Sequence, residues 1–364
     1  DRVDQRDRPL DGSYRYARTG SGVTVYVVDT GIQTSHPEFG GRASAGYDAF
    51  GGNAQDCNGH GTHVAGTVAG STYGVAKDAR VVAVRVLDCA GNGTTSTVVA
   101  GLDWVRLNRQ GAAVANLSLG GGADQAIDDA LRRVISSGVT AVVAAGNQPA
   151  DNACSYSPAR VGEALTVGAS NANDQKAWFS KFGSCVDLFA PGEGITSAWI
   201  GGGTNTIDGT SMASPHVAGA AALYLQGSPG ASAAAVHGFI VNDASTSRLS
   251  SIGTGSPNRL LFTLATDPFA VSISGPTYIT VSGEYTWTAA HTGGGLNPQF
   301  TWEVSWDGLF WSPLGSGPSL TYWAGGMDFY LRLTGTRGTD GVQARAVTFV
   351  QAPCMETNPD YACY

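Results

Sequence analysis

The sequence predicts two fold classes in series: an α/β unit with a doubly wound parallel sheet over residues 1–265, then an all-β sandwich over residues 268–364. Three observations carry this. Short β-branched runs such as VTVYVV at 23–28 alternate with small-residue or amphipathic helical stretches, a spacing that implies right-handed crossovers and a parallel sheet. Glycine, 51 of 364 residues, suits tight turns and close approach of helix to sheet. After Leu261 and Phe262 the pattern changes to alternating aromatic and polar residues between Gly, Pro and Asn turns, the period of half-buried strands.

Composition narrows the function classes. Lys and Arg total 21 against 29 Asp and Glu, and the net charge of −8 argues against nucleic acid or an anionic membrane as partner and for a soluble, calcium-tolerant protein. No apolar run approaches the ~20 residues that span a bilayer. Six cysteines without a C-x-x-C pattern point to a disulfide framework in an oxidising compartment rather than to zinc or redox chemistry; six free buried thiols are the competing reading. The chain begins at a charged, globular-looking stretch, so a secretion signal and a pro-segment are expected to have been removed or omitted.

In chain order, residues 1–13 set Asp1, Asp4, Gln5 and Asp11 among arginines, dense oxygen ligands of the kind calcium takes, against the plainer reading of a solvated charge run. The strand at 23–28 ends in Asp29, where open α/β sheets keep their sites. His36 lies in a turn-rich loop and reads as structural. His60 stands between Gly59 and Gly61, just before an Ala/Val/Gly helix, sterically free to approach other side chains. His63 makes an i, i+3 pair with it, but the Glu of H-E-x-x-H is absent and a metal pair is disfavoured. A strand at 80–87 leads to Gly91, Asn92 and Gly93, which lack the G-x-G-x-x-G of a dinucleotide loop. An amphipathic helix at 97–107, a strand at 113–117 running into Ser118, Leu119 and Gly120, a helix at 124–137 and a strand at 139–144 follow. That last strand ends at Gly146 and Asn147, whose amide is placed to donate to an oxyanion; a turn-forming Asn is the alternative. In GTSMASPHVAG, 209–219, Ser211 falls in the first turn of a buried helix, where unpaired N–H groups and the macrodipole favour negative charge. Pro215 is tolerated because it falls close to the helix start. A simple N-cap is the plain reading of such a serine.

Read together, Ser211, His60 and Asp29 supply a nucleophile, a base to take its proton and a carboxylate to hold the imidazole tautomer. Their order, Asp then His then Ser, is that of subtilisin, whereas the α/β-hydrolase order begins with Ser and its elbow requires G-x-S-x-G, against G-x-S-x-A here.

The blocks DTG, HGTHVAG and GTSMASPHVAG, with YGVAK at 73–77, SLGGG at 118–122 and AAGN at 144–147 between them, resemble the signature blocks of subtilisin-like serine proteases of the proteinase K branch. The N-terminal DRVDQRDRPLD, the cysteine positions and SPNRLL at 256–261 are most similar to the aqualysin type, over about residues 1–265. The resemblance implies a secreted serine endopeptidase of broad specificity. It gives Ser211, His60, Asp29 and Asn147 the catalytic roles above. Gly91 to Gly93 and Ser118 to Gly120 would flank an extended peptide, and Ala144, Ala145 and Gly146 would line a specificity pocket for large apolar or aromatic side chains. It implies structural calcium held by Asp187 with the carbonyls of Gly162 and Ala164, where the family's usual proline stands at the position of Gly162, and again by Asp1, Asp4, Gln5 and Asp11. It pairs Cys57 with Cys89 and Cys154 with Cys185, leaving Cys354 with Cys363. Implied partners are protein and peptide substrates and the protein's own pro-segment as folding aid and inhibitor, with a monomer as the working form.

Residues 268–364 look like an immunoglobulin or fibronectin type III module without a specific motif, and carry five of the eight tryptophans, divided between core and an exposed binding face. This leaves a non-catalytic adhesion protein as the contrasting reading, against which all four catalytic positions are filled.

Overall fold

The computed structural model describes residues 1–263, 270–292, 298–325, 327–336 and 343–352. Contacts divide the chain into two compact units, Asp1–Thr266 and Asp267–Tyr364. Cys354 and Cys363 lie outside the described residues.

In the first unit the valine-rich runs become the central strands β1 (Thr24–Asp29), β2 (Ala43–Asp48), β3 (Arg80–Arg85), β4 (Ala113–Leu117), β5 (Thr140–Ala144), β6 (Leu165–Ser170) and β7 (Leu188–Pro191). They pair in parallel in the order β7, β6, β5, β4, β1, β3, β2, and two short strands, Arg259–Leu260 and Ser245–Thr246, extend the β7 edge to nine strands. Alternate residues serve opposite faces. Val25 and Val27 join a core with helices α1 (His60–Ala69) and α4 (Thr210–Gly227), while Tyr26 and Val28 pack with α2 (Thr95–Asn108) and α3 (Gln125–Ser136). Helices on both faces make the sheet doubly wound.

Three details differ from the sequence reading. The strand expected over 80–87 stops at Arg85, because the N–H groups of Val86 and Leu87 both turn to the Asp29 carbonyl, at 2.9 and 3.2 Å. His60 is the first residue of its helix rather than a residue before it. Pro215 lies inside α4. A proline there cannot bond the carbonyl four residues back, that of Ser211, and the Ser118 hydroxyl takes its place at 2.8 Å.

Disulfides join Cys57 to Cys89 and Cys154 to Cys185. Closing loops with sequence separations of 32 and 31, each restricts the unfolded chain by roughly 3–4 kcal/mol on a chain-entropy account. Among the described residues no helix is long and apolar enough to cross a membrane.

The second unit holds two antiparallel sheets. One has Ala270–Ser274, Gly283–Thr292 and Ser319–Ala324; the other orders Ser312–Ser316, Gln299–Ser305, Phe329–Thr336 and Gln343–Val350. Inward residues of both sheets, Trp287 and Leu320 from one and Phe300, Trp302 and Leu331 from the other, share one core. Trp306 and Trp323 are more than half exposed.

Candidate active site

Asp29 ends β1 fully buried, and its Oδ1 accepts from Thr30 N–H at 2.7 Å and faces His60 Nδ1 at 2.8 Å. The imidazole is delivered by a loop that Asp56 pins: its carboxylate accepts from the N–H groups of Asn58, Gly59 and Thr62 and from the hydroxyls of Thr30 and Thr62. Only glycine fits at 61, since a Cβ there would lie 2.1 Å from the Gly31 carbonyl. Burial pushes the His60 imidazole down, but the Asp29 charge and hydrogen bond outweigh it, and the net shift is upward from 6.5. With Nδ1 donating to Asp29, Nε2 is the nitrogen left to accept. His63, by contrast, buries its ring against the carbonyls of Ile195 and Asn205, with a pKa lowered to about 4 by burial, and acts as a packing residue.

Ser211 is the second residue of α4. Its hydroxyl donates to the Ser118 carbonyl at 3.2 Å, and among the described residues it makes no hydrogen bond to His60. Behind it the Ser118 hydroxyl, holding the Ser211 carbonyl, accepts from Asn116 Nδ2 at 3.0 Å, and Asn116 Oδ1 accepts from Ser214 at 2.8 Å. This relay fixes the first turn of the helix to the end of β4.

Asn147 follows β5. Its Oδ1 accepts from both the N–H and the hydroxyl of Thr210, at 2.9 and 2.8 Å, and since an N–H can only donate, this sets the amide orientation and leaves Nδ2 facing out. Nδ2, the Ser211 nitrogen and Met212 Sδ each lie 3.5 Å from the point a Gly209 Cβ would occupy, so the two donors border the same space.

Two adjoining clefts meet here. One, about 580 Å³, brings together His60, Gly91 to Gly93 and Ser118 to Gly120; the other, about 310 Å³, brings together Ala144 to Asn147, Thr210 and Ser211. Asn92 uses both its backbone groups in a turn with Asp88.

At the chain start three oxygens, Asp1 O, Asp11 Oδ1 and Ser13 O, gather around Gln5 Nε2 at 3.0, 3.0 and 3.4 Å, and the buried Asp4 leaves Oδ1 without a partner. Those oxygens are of the type calcium takes, but the Gln5 amide N–H groups hold them, so an ion there would have to displace Gln5 Nε2 and take Gln5 through Oε1. Asp187 already takes Thr166 N–H at 2.8 Å and His237 Nε2 at 3.4 Å, so an ion there would have to displace His237. Among the described residues no three His, Cys, Asp or Glu side chains form a metal cluster.

Sequence reasoning missed Thr210, Asp56, Asn116 and the side-chain role of Ser118. Their polar types were visible, but each also has a partner 26 to 98 residues away, Thr30 for Asp56, Asn147 for Thr210, Ser211 for Ser118 and Ser214 for Asn116, and only the fold joins those.

Comparison with known proteins places this geometry. The Subtilase family profile matches residues 20–263. The chain is 58% identical over 267 residues to the extracellular serine proteinase of Thermus sp. (strain Rt41A), covering 72% of this chain and 65% of that protein. It is 53% identical over 278 residues to alkaline serine exoprotease A of Vibrio alginolyticus, covering 76% and 52%. The chain thus spans between about half and two thirds of these relatives' lengths. The crystal structure of a cold adapted subtilisin-like serine proteinase aligns with a TM-score of 0.71 at 53% identity, over 73% of this chain and 97% of that one. The β1 aspartate, the histidine that opens α1 and the serine in the first turn of α4 stand on a doubly wound sheet whose sequence matches that profile, and the chain belongs to the subtilase family.

Proposed function

We propose that the chain is a secreted serine endopeptidase, its peptidase unit at 1–265 and its accessory unit at 268–364. The observation that carries this reading is that Asn147 Nδ2 and Ser211 N–H border one space beside a serine at a helix start, with His60, hydrogen-bonded to the buried Asp29, lining the adjoining cleft. The Ser211 hydroxyl turns from Ser118 O to His60 Nε2, which takes its proton as Oγ bonds the scissile carbonyl carbon. Asp29 holds the imidazolium that results. Asn147 Nδ2 and Ser211 N–H take the oxyanion, His60 returns the proton to the departing amine as the C–N bond breaks, and water then releases the acyl group by the same path.

The small side chains of Ala144, Ala145 and Gly146 leave room for a large apolar or aromatic residue before the scissile bond, and the backbones of Gly91, Gly93 and Ser118 to Gly120 pair with an extended peptide. Calcium, held by Asp1, Asp4, Gln5 and Asp11 and by Asp187 with the carbonyls of Gly162 and Ala164, stabilises the fold and supplies no chemistry. Three and four antiparallel strands around one core fit an immunoglobulin or fibronectin III-like sandwich that binds substrate or surfaces. The protein works as a monomer, and a pro-segment assists its folding and inhibits it.

A fluorophosphonate probe tests the reading. It should label the wild type at Ser211 and fail on Ser211→Ala; equal labelling of a folded Ser211→Ala protein would remove the nucleophile assignment.

A further inference from the structure

The cleft that holds Ala144 to Asn147 and Ser211 contains one cation. Lys181 lines it, is only 2% exposed, and donates its backbone N–H to the Gly146 carbonyl at 3.0 Å. Its side chain runs along Gly146, where a Cβ would come within 2.9 Å of Lys181 Cδ and Cε, and its ammonium lies over the Tyr156 ring. Among the described residues no carboxylate stands within ion-pair distance of that ammonium and no acceptor takes a hydrogen bond from it; the charge that acts on it is Asp151, itself engaged by the Tyr156 hydroxyl. No acidic side chain lines the cleft. With the Tyr156 ring as its neighbour and no anion beside it, an ammonium in such a cleft gains when a carboxylate reaches it.

We propose that Lys181 makes this specificity pocket accept a glutamate side chain before the scissile bond, its carboxylate meeting Lys181 Nζ beside Tyr156, in addition to the apolar residues the pocket's shape admits. The inference rests on the peptidase reading above and adds a charged substrate class to the same pocket. Burial brings the Lys181 ammonium down to about 8 against the opposing pull of Asp151. It is charged below that pH, so the preference for glutamate is present on the acid side and fades as pH rises through it. Asp151 and Tyr156 are the titratable groups that face it. His60 acts equally on every substrate and cancels in a ratio.

The test compares peptide p-nitroanilides that differ only in the residue before the anilide: Glu, its neutral isostere Gln, and Phe. In the wild type at about pH 7, kcat/KM for Glu over Gln should exceed that of Lys181→Met by about tenfold or more, the worth of one hydrogen bond to a charged group, with Phe turnover of each enzyme measured alongside to show that it is folded and active. The wild-type ratio should also fall between about pH 7 and pH 10, which decides the matter without any variant should Lys181→Met fail to fold. A ratio equal in the two proteins, or flat with pH in the wild type, overturns the proposal while Phe cleavage continues. Absence of Phe cleavage by the wild type would instead strike the peptidase reading itself.

Discussion

In the α/β unit the buried faces are built mostly of Val, Ala and Leu, whereas the sandwich fills its core with Trp287, Trp302, Phe300 and Phe329. Small residues let helices press closely on their neighbours. A Cβ at Gly66 would meet Ser197 Oγ at 2.4 Å, and one at Gly219 would meet Val75 Cβ at 2.6 Å. Such contact seats the middle of α1 against the strand Ile195–Trp199 and the middle of α4 against the loop at Val75. Large aromatics work the other way: Trp287 and Trp302 fill the space between sheets and anchor their Nε1 to the carbonyls of Pro276 and Gly317, at 2.9 and 3.0 Å. One unit uses its side chains to position backbone and strand-end groups; the other uses its backbone to position side chains, some of them exposed.

The sharpest break between the two modes is a core truncation in the sandwich. Trp287 is fully buried and packs edge-on against Phe329. Trp287→Ala should destabilise the sandwich by about 3–5 kcal/mol through lost transfer energy and the cavity left behind. Denaturant melts followed by fluorescence should show an early sandwich transition, with turnover per peptidase unit unchanged. Equal loss of both transitions would mean that the units do not fold independently.

Next in size, Asn147→Ala tests the donor that the proposed mechanism assigns to the oxyanion. It should lower kcat by about 10²–10³, or roughly 2.7–4 kcal/mol, with KM nearly unchanged. In a Ser211→Ala background the same change should be almost silent, since groups acting on one transition state are not additive. A variant that melts early yet turns over normally per folded molecule would reduce Asn147 to a structural residue holding Thr210.

Calcium removal should act on stability and spare the chemistry. Ligand at a hundred times its Kd stabilises the folded state by about 2.7 kcal/mol, so excess chelator should lower the melting temperature of the peptidase unit and speed autolysis, leaving the sandwich transition in place. An unchanged melting temperature and autolysis rate would refute the calcium sites. Replacing Asp4, whose buried Oδ1 has no partner, should remove much of the chelator effect at the N-terminal site.

The same contrast explains what could be read from the chain. Asp29, Asn147, His60 and Ser211 were legible because strand ends and helix starts are local events, set by a few neighbouring residues. The support of those groups was not. Ser118 replaces the hydrogen bond that Pro215 cannot make and Lys181 enters the pocket wall, each through pairs far apart in sequence that only the folded sheet brings together, while Asp56 pins the His60 loop through near neighbours and ties it to the distant Thr30. In the sandwich the strand period was legible, but which tryptophans face inward depends on register, and nothing local marks Trp287 and Trp302 as core against the exposed Trp306 and Trp323.

The smallest expected effect is also the one that separates the two units by pH. The folded pKa of His60 is raised above 6.5, so its pairing with Asp29 contributes stability that is fully present below 6.5 and is lost as pH rises through the folded value. Catalysis runs opposite, because the base must be neutral, and kcat/KM should rise with pH through a midpoint above 6.5. In the sandwich, the bidentate hydrogen bonds from Arg332 hold Glu303 below its usual 4.5. That contribution is present above 4.5 and is lost only as pH falls through the lowered value. At about pH 5–6 the protein should therefore be folded in both units, with the Asp29–His60 pair at its strongest and turnover low. Asp29→Asn removes the charge that raises His60, and the acid limb of its residual activity should move to lower pH while the sandwich's tryptophan fluorescence over the same range stays constant. An acid limb below 6.5 in the wild type, or one that Asp29→Asn leaves in place, would show that the pair does not set the protonation of the base.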